Sequence, residues 1–382
     1  MRLLHTSDWH VGRTFHGADL LAEQESVLSG LADLVVDERV DVVVVSGDLY
    51  DRAVPSPEAV QACTRVLTAI REAGATLVIT SGNHDSAPRL GAFGAFAAAG
   101  GLHLRTGIAE LNRPVLLEDE HGPVAVYGIP YLEPEPAAHA LGVTDARGHA
   151  AVLGEAMNRV RADLRSRTAR SVVLAHAFVI GGEACESERP IAVGGVESVP
   201  GSVFDGVDYV ALGHLHGPQR ISDRMRYSGS PMAYSFSEAR HRKSVWLAEF
   251  DAGGLSGVER RELPVPRRLA KVTGRIDELL TGSGFESYVD SYLSAELTDR
   301  VRPLDALRRL RERFPHAVHV RWEPEGGRDN AVQHYAEAVR GRSDHEIACC
   351  FVDECRGEPP GERERELLGR AFTAVAAEEA RR

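Results

Sequence analysis

Five short stretches of the chain carry side chains able to hold metal ions: Asp8-x-His10, Gly47-Asp48-x-x-Asp51, Gly82-Asn83-His84-Asp85, the single His176, and Gly213-His214-x-His216. Their donors are carboxylates, an amide oxygen and imidazoles, with no thiolate among them. That set suits borderline divalent ions such as manganese, iron or zinc; a thiolate-rich set would point to structural zinc. A carboxylate can bridge two ions, and Asp48 is the natural bridge. Singly, each stretch is ordinary: Asp-x-His and Gly-Asp are common turn chemistry, and a lone histidine is commonly structural.

What lifts them above coincidence is where they fall. Each follows, within a few residues, a short apolar run: Leu3-Leu4, Val42 to Val45, Leu77 to Ile79, Val172 to Leu174, and Tyr209 to Leu212. Leu20 to Val36 and Glu58 to Arg71, between the first three runs, carry apolar residues at helical spacing. This alternation predicts βα units and a mainly parallel or mixed sheet covered on both faces. In open α/β sheets, ligands collect beyond the carboxyl ends of the strands, so five distant segments can converge there. Val124 to Ile129 reads as a further strand ending at Pro130. Arg226 to Ser230 and Val245 to Phe250 read as antiparallel strands completing the domain.

The pattern changes at Pro264-Val265-Pro266, where two close prolines favour an extended connection. The metal-ligand domain is therefore placed at 1–264. A small α/β domain follows at 265–326, built from Leu269 to Val272, Ile276 to Leu280, Tyr288 to Leu297, Leu304 to Phe314 and Val318 to Trp322. Gly326-Gly327 opens a helical segment, 327–382. Its last helix, Glu362 to Ala380, carries Leu367, Leu368, Phe372 and Val375 on one face, a stripe for core packing or for a partner groove.

Composition sets bounds. The chain has 382 residues, 43% of them apolar, enough for a large core. Five cysteines, with no paired zinc spacing, argue against a disulfide framework. Met1 leads straight into a strand-like run without signal-peptide character, and no apolar stretch is long enough to cross a membrane, so a cytoplasmic location is expected. The net charge of −12 looks wrong for a nucleic-acid binder. Bound divalent ions reverse the local sign, however, and Arg13, Arg52, Arg89 and Arg189 lie near the motifs. No Gly-x-x-x-x-Gly-Lys-Ser/Thr loop is present, so any ATP binds elsewhere. The charged run Arg240-His241-Arg242-Lys243 reads as a solvated turn.

In order and type the five motifs resemble those of the calcineurin-like binuclear metallophosphoesterases. Three stretches are closer still to one branch of that family, the bacterial nuclease subunits with a counterpart in eukaryotic double-strand-break repair: Arg2 to Gly12 (RLLHTSDWHVG), Asp205 to Gln219 (DGVDYVALGHLHGPQ) and Tyr227 to Glu238 (YSGSPMAYSFSE). The likeness runs on to Arg356-Gly357-Glu358-Pro359. It implies an α/β metallophosphoesterase sandwich, mixed β-sheets flanked by helices, with a small α/β capping domain that contacts DNA and a helical C-terminal tail that docks on a partner. It also implies two divalent metal ions, manganese first among them, one held by Asp8, His10, Asp48 and His216 and the other by Asp48, Asn83, His176 and His214. His84 would be the catalytic histidine and Asp51 the carboxylate that orients it. The implied activity is double-strand exonuclease and single-strand or hairpin endonuclease, as one subunit of an ATP-dependent DNA end-processing complex. Its partners would be DNA and an SbcC-like coiled-coil ATPase, in a heterotetramer built on a homodimer. The rival expectation is a calcineurin-like phosphatase or phosphodiesterase acting on non-DNA substrates with the same centre.

Overall fold

The structure is a computed structural model that describes residues 1–143, 148–189, 198–300, 302–324, 341–356 and 358–379. The chain divides into two compact units, Met1–Pro266 and Arg267–Arg382.

The first unit holds two six-stranded sheets. One runs in the order Gly254–Glu262, Ser244–Asp251, Arg2–Thr6, Val42–Ser46, Thr76–Thr80, Leu102–Leu104. Its last four strands are parallel, and Ser244–Asp251 is antiparallel to both its neighbours. The other runs in the order Gln219–Arg220, Met225–Tyr227, Tyr209–Gly213, Arg170–His176, Gly122–Ile129, Val115–Asp119, with the four central strands parallel.

The side-chain period of a strand explains how the layers meet, since alternate residues take opposite faces. Leu3, Val42, Val44, Val172, Leu174, Tyr209 and Ala211 form one buried cluster with residues of both sheets. Their sequence neighbours Val173, Val210 and Leu212 belong to a second cluster with Leu153, Ala156, Met157 and Val160 of the helix His149–Leu164. On the first sheet, the helices Leu21–Asp37 and Pro57–Glu72 pack on each other. The architecture is a sandwich of two mixed sheets flanked by helices.

Two expectations change here. The single covered sheet read from the apolar runs is two sheets, as the metallophosphoesterase likeness implies, because a strand buried on both faces looks the same whether it meets a helix or another sheet. The stretch near Arg226, expected as an antiparallel strand, is antiparallel to Gln219–Arg220 on one side only and parallel to Tyr209–Gly213 on the other. Gln219–Arg220 and Met225–Tyr227 form a hairpin that reverses the chain once more, so Met225–Tyr227 lies parallel to that strand.

At the opposite end from the carboxyl termini of the parallel strands, Arg170 ties the sheets together. Its guanidinium donates to Asp119 at 2.5 and 3.0 Å, to Gly122 O at 2.5 Å and to Asp251 O at 3.2 Å. The side chains are 7% and 15% exposed. The Arg170 bonds hold the Asp119 carboxyl far below its ordinary range. A depressed folded-state pKa contributes stability above the unfolded value, near 3.9, and that contribution is lost as pH falls below it. Asp119→Ala, which strands the buried guanidinium, is expected to cost about 3–5 kcal/mol, read as a lower urea midpoint at pH 7. The gap between variant and wild type should close as the pH is lowered below about 4.

The second unit contains three parallel strands, Leu269–Gly274, Tyr292–Leu297 and Ala317–Trp322. Leu279 and Leu310 from the helices Ile276–Thr281 and Ala306–Arg313, and Phe314 just past the second of them, pack with Leu293, Ala295 and Leu297. The helices Asp344–Arg356 and Glu362–Glu379 follow. Gly326 and Gly327 lie outside the described residues. No helix among the described residues is long and apolar enough to cross a membrane.

Candidate metal centre

The first two loops continue as a ladder past the ends of their strands. Asp8 N–H donates to Gly47 O, His10 N–H to Asp48 O and Val11 N–H to Leu49 O, each at 3.0 Å. The third loop is stapled to the second by Asp85, whose carboxylate accepts from the N–H groups of Leu49, Tyr50 and Gly82 at 2.9–3.1 Å. Burial, and next the neighbouring Asp48, raise Asp85 to about 6. Among the described residues seven non-glycines have positive φ, and four of them are sequence-predicted ligands: Asp8 at 54°, His10 at 46°, Asp48 at 50° and His214 at 105°. Such backbone costs on the order of 1–3 kcal/mol per residue and collects where surrounding structure holds side chains for a purpose. The glycines beside them are there for room. A Cβ at Gly47 would run into His176, at Gly82 into the Asp48 carboxylate, and at Gly213 into the Ser46 carbonyl.

Asp48 sits at the middle. Its Oδ1 accepts the His84 N–H at 2.8 Å, while Oδ2 lies 3.6 Å from His10 Nε2 and 3.5 Å from His176 Nε2. On one side, His10 Nε2 faces His216 Nε2 at 3.1 Å. On the other, His176 Nε2 lies 2.8 Å from Asn83 Oδ1, and its Nδ1 donates to Ser46 O at 2.9 Å. Asp8 accepts from Ser7 Oγ at 2.5 Å, and both its oxygens accept the His214 N–H, at 3.0 and 3.1 Å.

Asp8, His10, Asp48, His84, His176 and His216 thus fall into three overlapping groups whose donor atoms lie within 4.8 Å of one another. Asn83 joins through His176. His214 packs edge-on against the His176 ring with centroids 5.3 Å apart, and its ring nitrogens belong to none of those groups. Asp51 is beside His84, but the short contact runs from His84 Nδ1 to the Asp51 main-chain carbonyl at 2.8 Å, whereas the carboxylate is 3.9 Å away. That carboxylate lies as near to His10 Nδ1, at 3.6 Å, and to Arg13, at 3.7 Å.

The electrostatics fit a divalent cation. Burial, and next the Asp48 carboxylate, push Asp8 well above the ordinary carboxylate range; burial likewise raises Asp48. Burial and then neighbouring imidazoles hold His10 and His214 well below the usual histidine value, and burial takes His176 to about 4. Buried carboxylates that resist ionising alone and imidazoles that refuse a proton together make a pocket short of positive charge. Two imidazole nitrogens bound to one ion at about 2.0–2.1 Å stand roughly 3 Å apart, the spacing of His10 and His216. His10 Nδ1 and Asn83 Nδ2 are buried without hydrogen-bond partners.

One group behind the centre escaped the sequence reading. Lys243 is not on a solvated turn: it is 2% exposed, and its ammonium donates to Glu238 Oε2 at 2.5 Å and to His216 O and Ser230 Oγ at 2.9 Å. Burial alone would raise Glu238, yet the Lys243 charge holds it well below the ordinary carboxylate range. Arg242, next in sequence, is exposed as expected. Nothing in a run of four charges marks which one turns inward; only the partner five residues upstream decides it.

Residues 1–218 match the family model described as calcineurin-like phosphoesterase. Residues 265–355 match the SbcD C-terminal domain model, described as Type 5 capsule protein repressor C-terminal domain. Among solved structures, the chain aligns with the psychrophilic β-glucosidase BglU from Micrococcus antarcticus at 10% identity, over 83% of this chain and 82% of that one, with a TM-score of 0.20. A family 1 β-glucosidase from Thermotoga maritima in complex with isofagomine lactam gives 10% identity over 84% and 82%, also with a TM-score of 0.20. Similarity at that level says nothing of fold or activity.

Proposed function

Since the chain belongs to the calcineurin-like phosphoesterase family and is a metal-dependent phosphoesterase with an SbcD-type C-terminal domain, we propose that its substrate is DNA. It cleaves phosphodiesters at double-strand ends and in single-stranded or hairpin segments. The observation that carries this reading is the Asp48 carboxylate, with one oxygen between His10 and His176 at 3.5–3.6 Å, in a chain that adds a second α/β unit to the phosphoesterase domain.

Asp8, His10, Asp48 and His216 would hold one divalent ion, and Asp48, Asn83, His176 and His214 the other; manganese is the expected metal. When bound, the ions supply positive charge to the phosphate and acidify water. The chain's own residues do the rest. Asp48 orients toward both sites because the His84 N–H fixes its other oxygen. His84, with Nδ1–H committed to the Asp51 carbonyl and its pKa lowered by burial, is neutral, so Nε2 bears a lone pair that can accept a proton from the attacking water and then return it to the leaving oxygen. Asp51 thereby orients His84 through its main chain. Arg189, exposed and bonded to Asn83 O at 3.2 Å, adds positive charge at the loop that carries Asn83 and His84.

The second unit contacts DNA. Phe351, Leu367 and Val375, 49–55% exposed on the helices Asp344–Arg356 and Glu362–Glu379, offer apolar surface for the coiled coil of an SbcC-like ATPase. The working unit is a heterotetramer around a homodimer, in the cytoplasm, serving recombination and repair.

The test is hydrolysis by the purified chain, with manganese or with EDTA, of blunt and hairpin DNA and of a small phosphodiester such as bis(p-nitrophenyl) phosphate. Manganese-dependent DNA cleavage is expected. Turnover of the small ester alone would leave the phosphoesterase and remove the nuclease.

A further inference from the structure

His216 is gripped from behind more elaborately than any other candidate ligand. Its Nδ1 lies 2.8 Å from Ser187 Oγ, and that hydroxyl donates to Glu238 Oε1 at 2.5 Å. Glu238 is fully buried and its other oxygen is taken by Lys243 at 2.5 Å. The His216 backbone is held as well, its N–H donating to Glu188 Oε1 at 2.7 Å and its carbonyl accepting from Lys243 at 2.9 Å. Ser187 and Glu188 are consecutive, so one loop clasps both the ring and the main chain.

The direction of these bonds follows from charge. A carboxylate paired with an ammonium can only accept, so the Ser187 proton points at Glu238. The Ser187 oxygen then accepts from the ring, which places the His216 proton on Nδ1 and the lone pair on Nε2. Nε2 is the atom that faces His10 Nε2 at 3.1 Å. A buried ion pair is a costly device for stability alone, whereas groups that fix the tautomer of a ligating histidine are the usual outer support of a metal site.

We propose that Ser187 and Glu238, with Lys243 behind them, are positioning residues that lock His216 as its Nδ1–H tautomer and commit Nε2 to a divalent cation. The inference rests on the two-ion reading of the centre. It extends that centre by a relay, Lys243–Glu238–Ser187, drawn from residues outside the five motifs and ending on His216.

Glu238→Gln strands Lys243 and is expected to melt early, so Ser187 carries the test. The metal-free full-length chain is titrated with manganese alone, and free manganese is counted by electron paramagnetic resonance. Wild type is expected to take up two ions. In Ser187→Ala the affinity at one site should fall by roughly 10–100-fold, with the other unchanged, while the metal-free variant melts with wild type and Ser187→Thr restores binding. A Ser187→Ala isotherm that overlays a two-ion wild-type curve would overturn the relay and leave the metal centre standing. A threonine variant as weak as alanine would assign the loss to the loop and overturn it too. A wild type that takes up no manganese would remove both.

Discussion

Asp48→Asn is expected to reduce phosphodiester hydrolysis by roughly a thousandfold or more, and to do so through metal binding. The amide keeps the shape of the side chain and an oxygen for the His84 N–H, so the loop that carries Asn83 and His84 should stay in place. What disappears is the negative charge 3.5–3.6 Å from both His10 and His176. Charge stabilisation by a bound ion is worth several kcal/mol in the transition state, and about 4 kcal/mol corresponds to three decades of rate. Manganese uptake should fall together with kcat, while the melting temperature of the metal-free protein should hold or rise, because a buried carboxylate pair with Asp8 has been relieved. A variant that kept its manganese and most of its rate would show that Asp48 does not bridge.

His84→Ala is expected to separate chemistry from metal binding. His84 lies close to His10, with ring centroids 4.6 Å apart, yet its Nδ1 is committed to the Asp51 carbonyl and its backbone N–H to Asp48. A proton donor or acceptor of this kind contributes about 10²–10⁴-fold to rate. Truncation should therefore lower kcat by that factor, with manganese stoichiometry unchanged and KM little altered. Loss of an ion on His84→Ala would make the residue a ligand and reverse its assigned role. Asp51→Asn offers a useful contrast: because the main-chain carbonyl makes the short contact, it should cost His84 far less than a carboxylate–imidazole pair would.

Much of this site was legible before any coordinates, and the reason is geometric. Parallel strands end on one side of a sheet, so ligands placed just after Leu3-Leu4, Val42–Val45, Leu77–Ile79, Val172–Leu174 and Tyr209–Leu212 had one region in which to gather. The structure adds a reason for the glycines at 47, 82 and 213, each of which sits where a second side chain would collide with a candidate ligand or its neighbour. The layer arrangement came from the likeness to the metallophosphoesterases and not from the spacing of apolar runs. Val42 to Val45 are all buried, and hydrophobicity does not record whether the covering layer is a helix or a second sheet. His5 shows the same limit: it reads as a polar residue in a strand, yet it lies between the sheets, bonded to Tyr209 and Leu212 O, with burial lowering it to about 3.

The supporting shell was harder still. Lys243 looks like its exposed neighbour Arg242, and only the fold brings it to Glu238 and His216. The carbonyl contact of Asp51 is invisible to any argument from side-chain type, since every residue owns a carbonyl. The antiparallel reading of Met225–Tyr227 held only toward Gln219–Arg220, because the extra hairpin reversal makes it parallel to Tyr209–Gly213.

The most direct test of the central claim is anomalous diffraction from crystals of the wild-type chain grown with manganese. Two manganese peaks are expected, one on each side of Asp48 Oδ2, the first beside His10 and His216 and the second beside Asn83 and His176. Crystals that diffract well but show no manganese between these side chains would contradict the account.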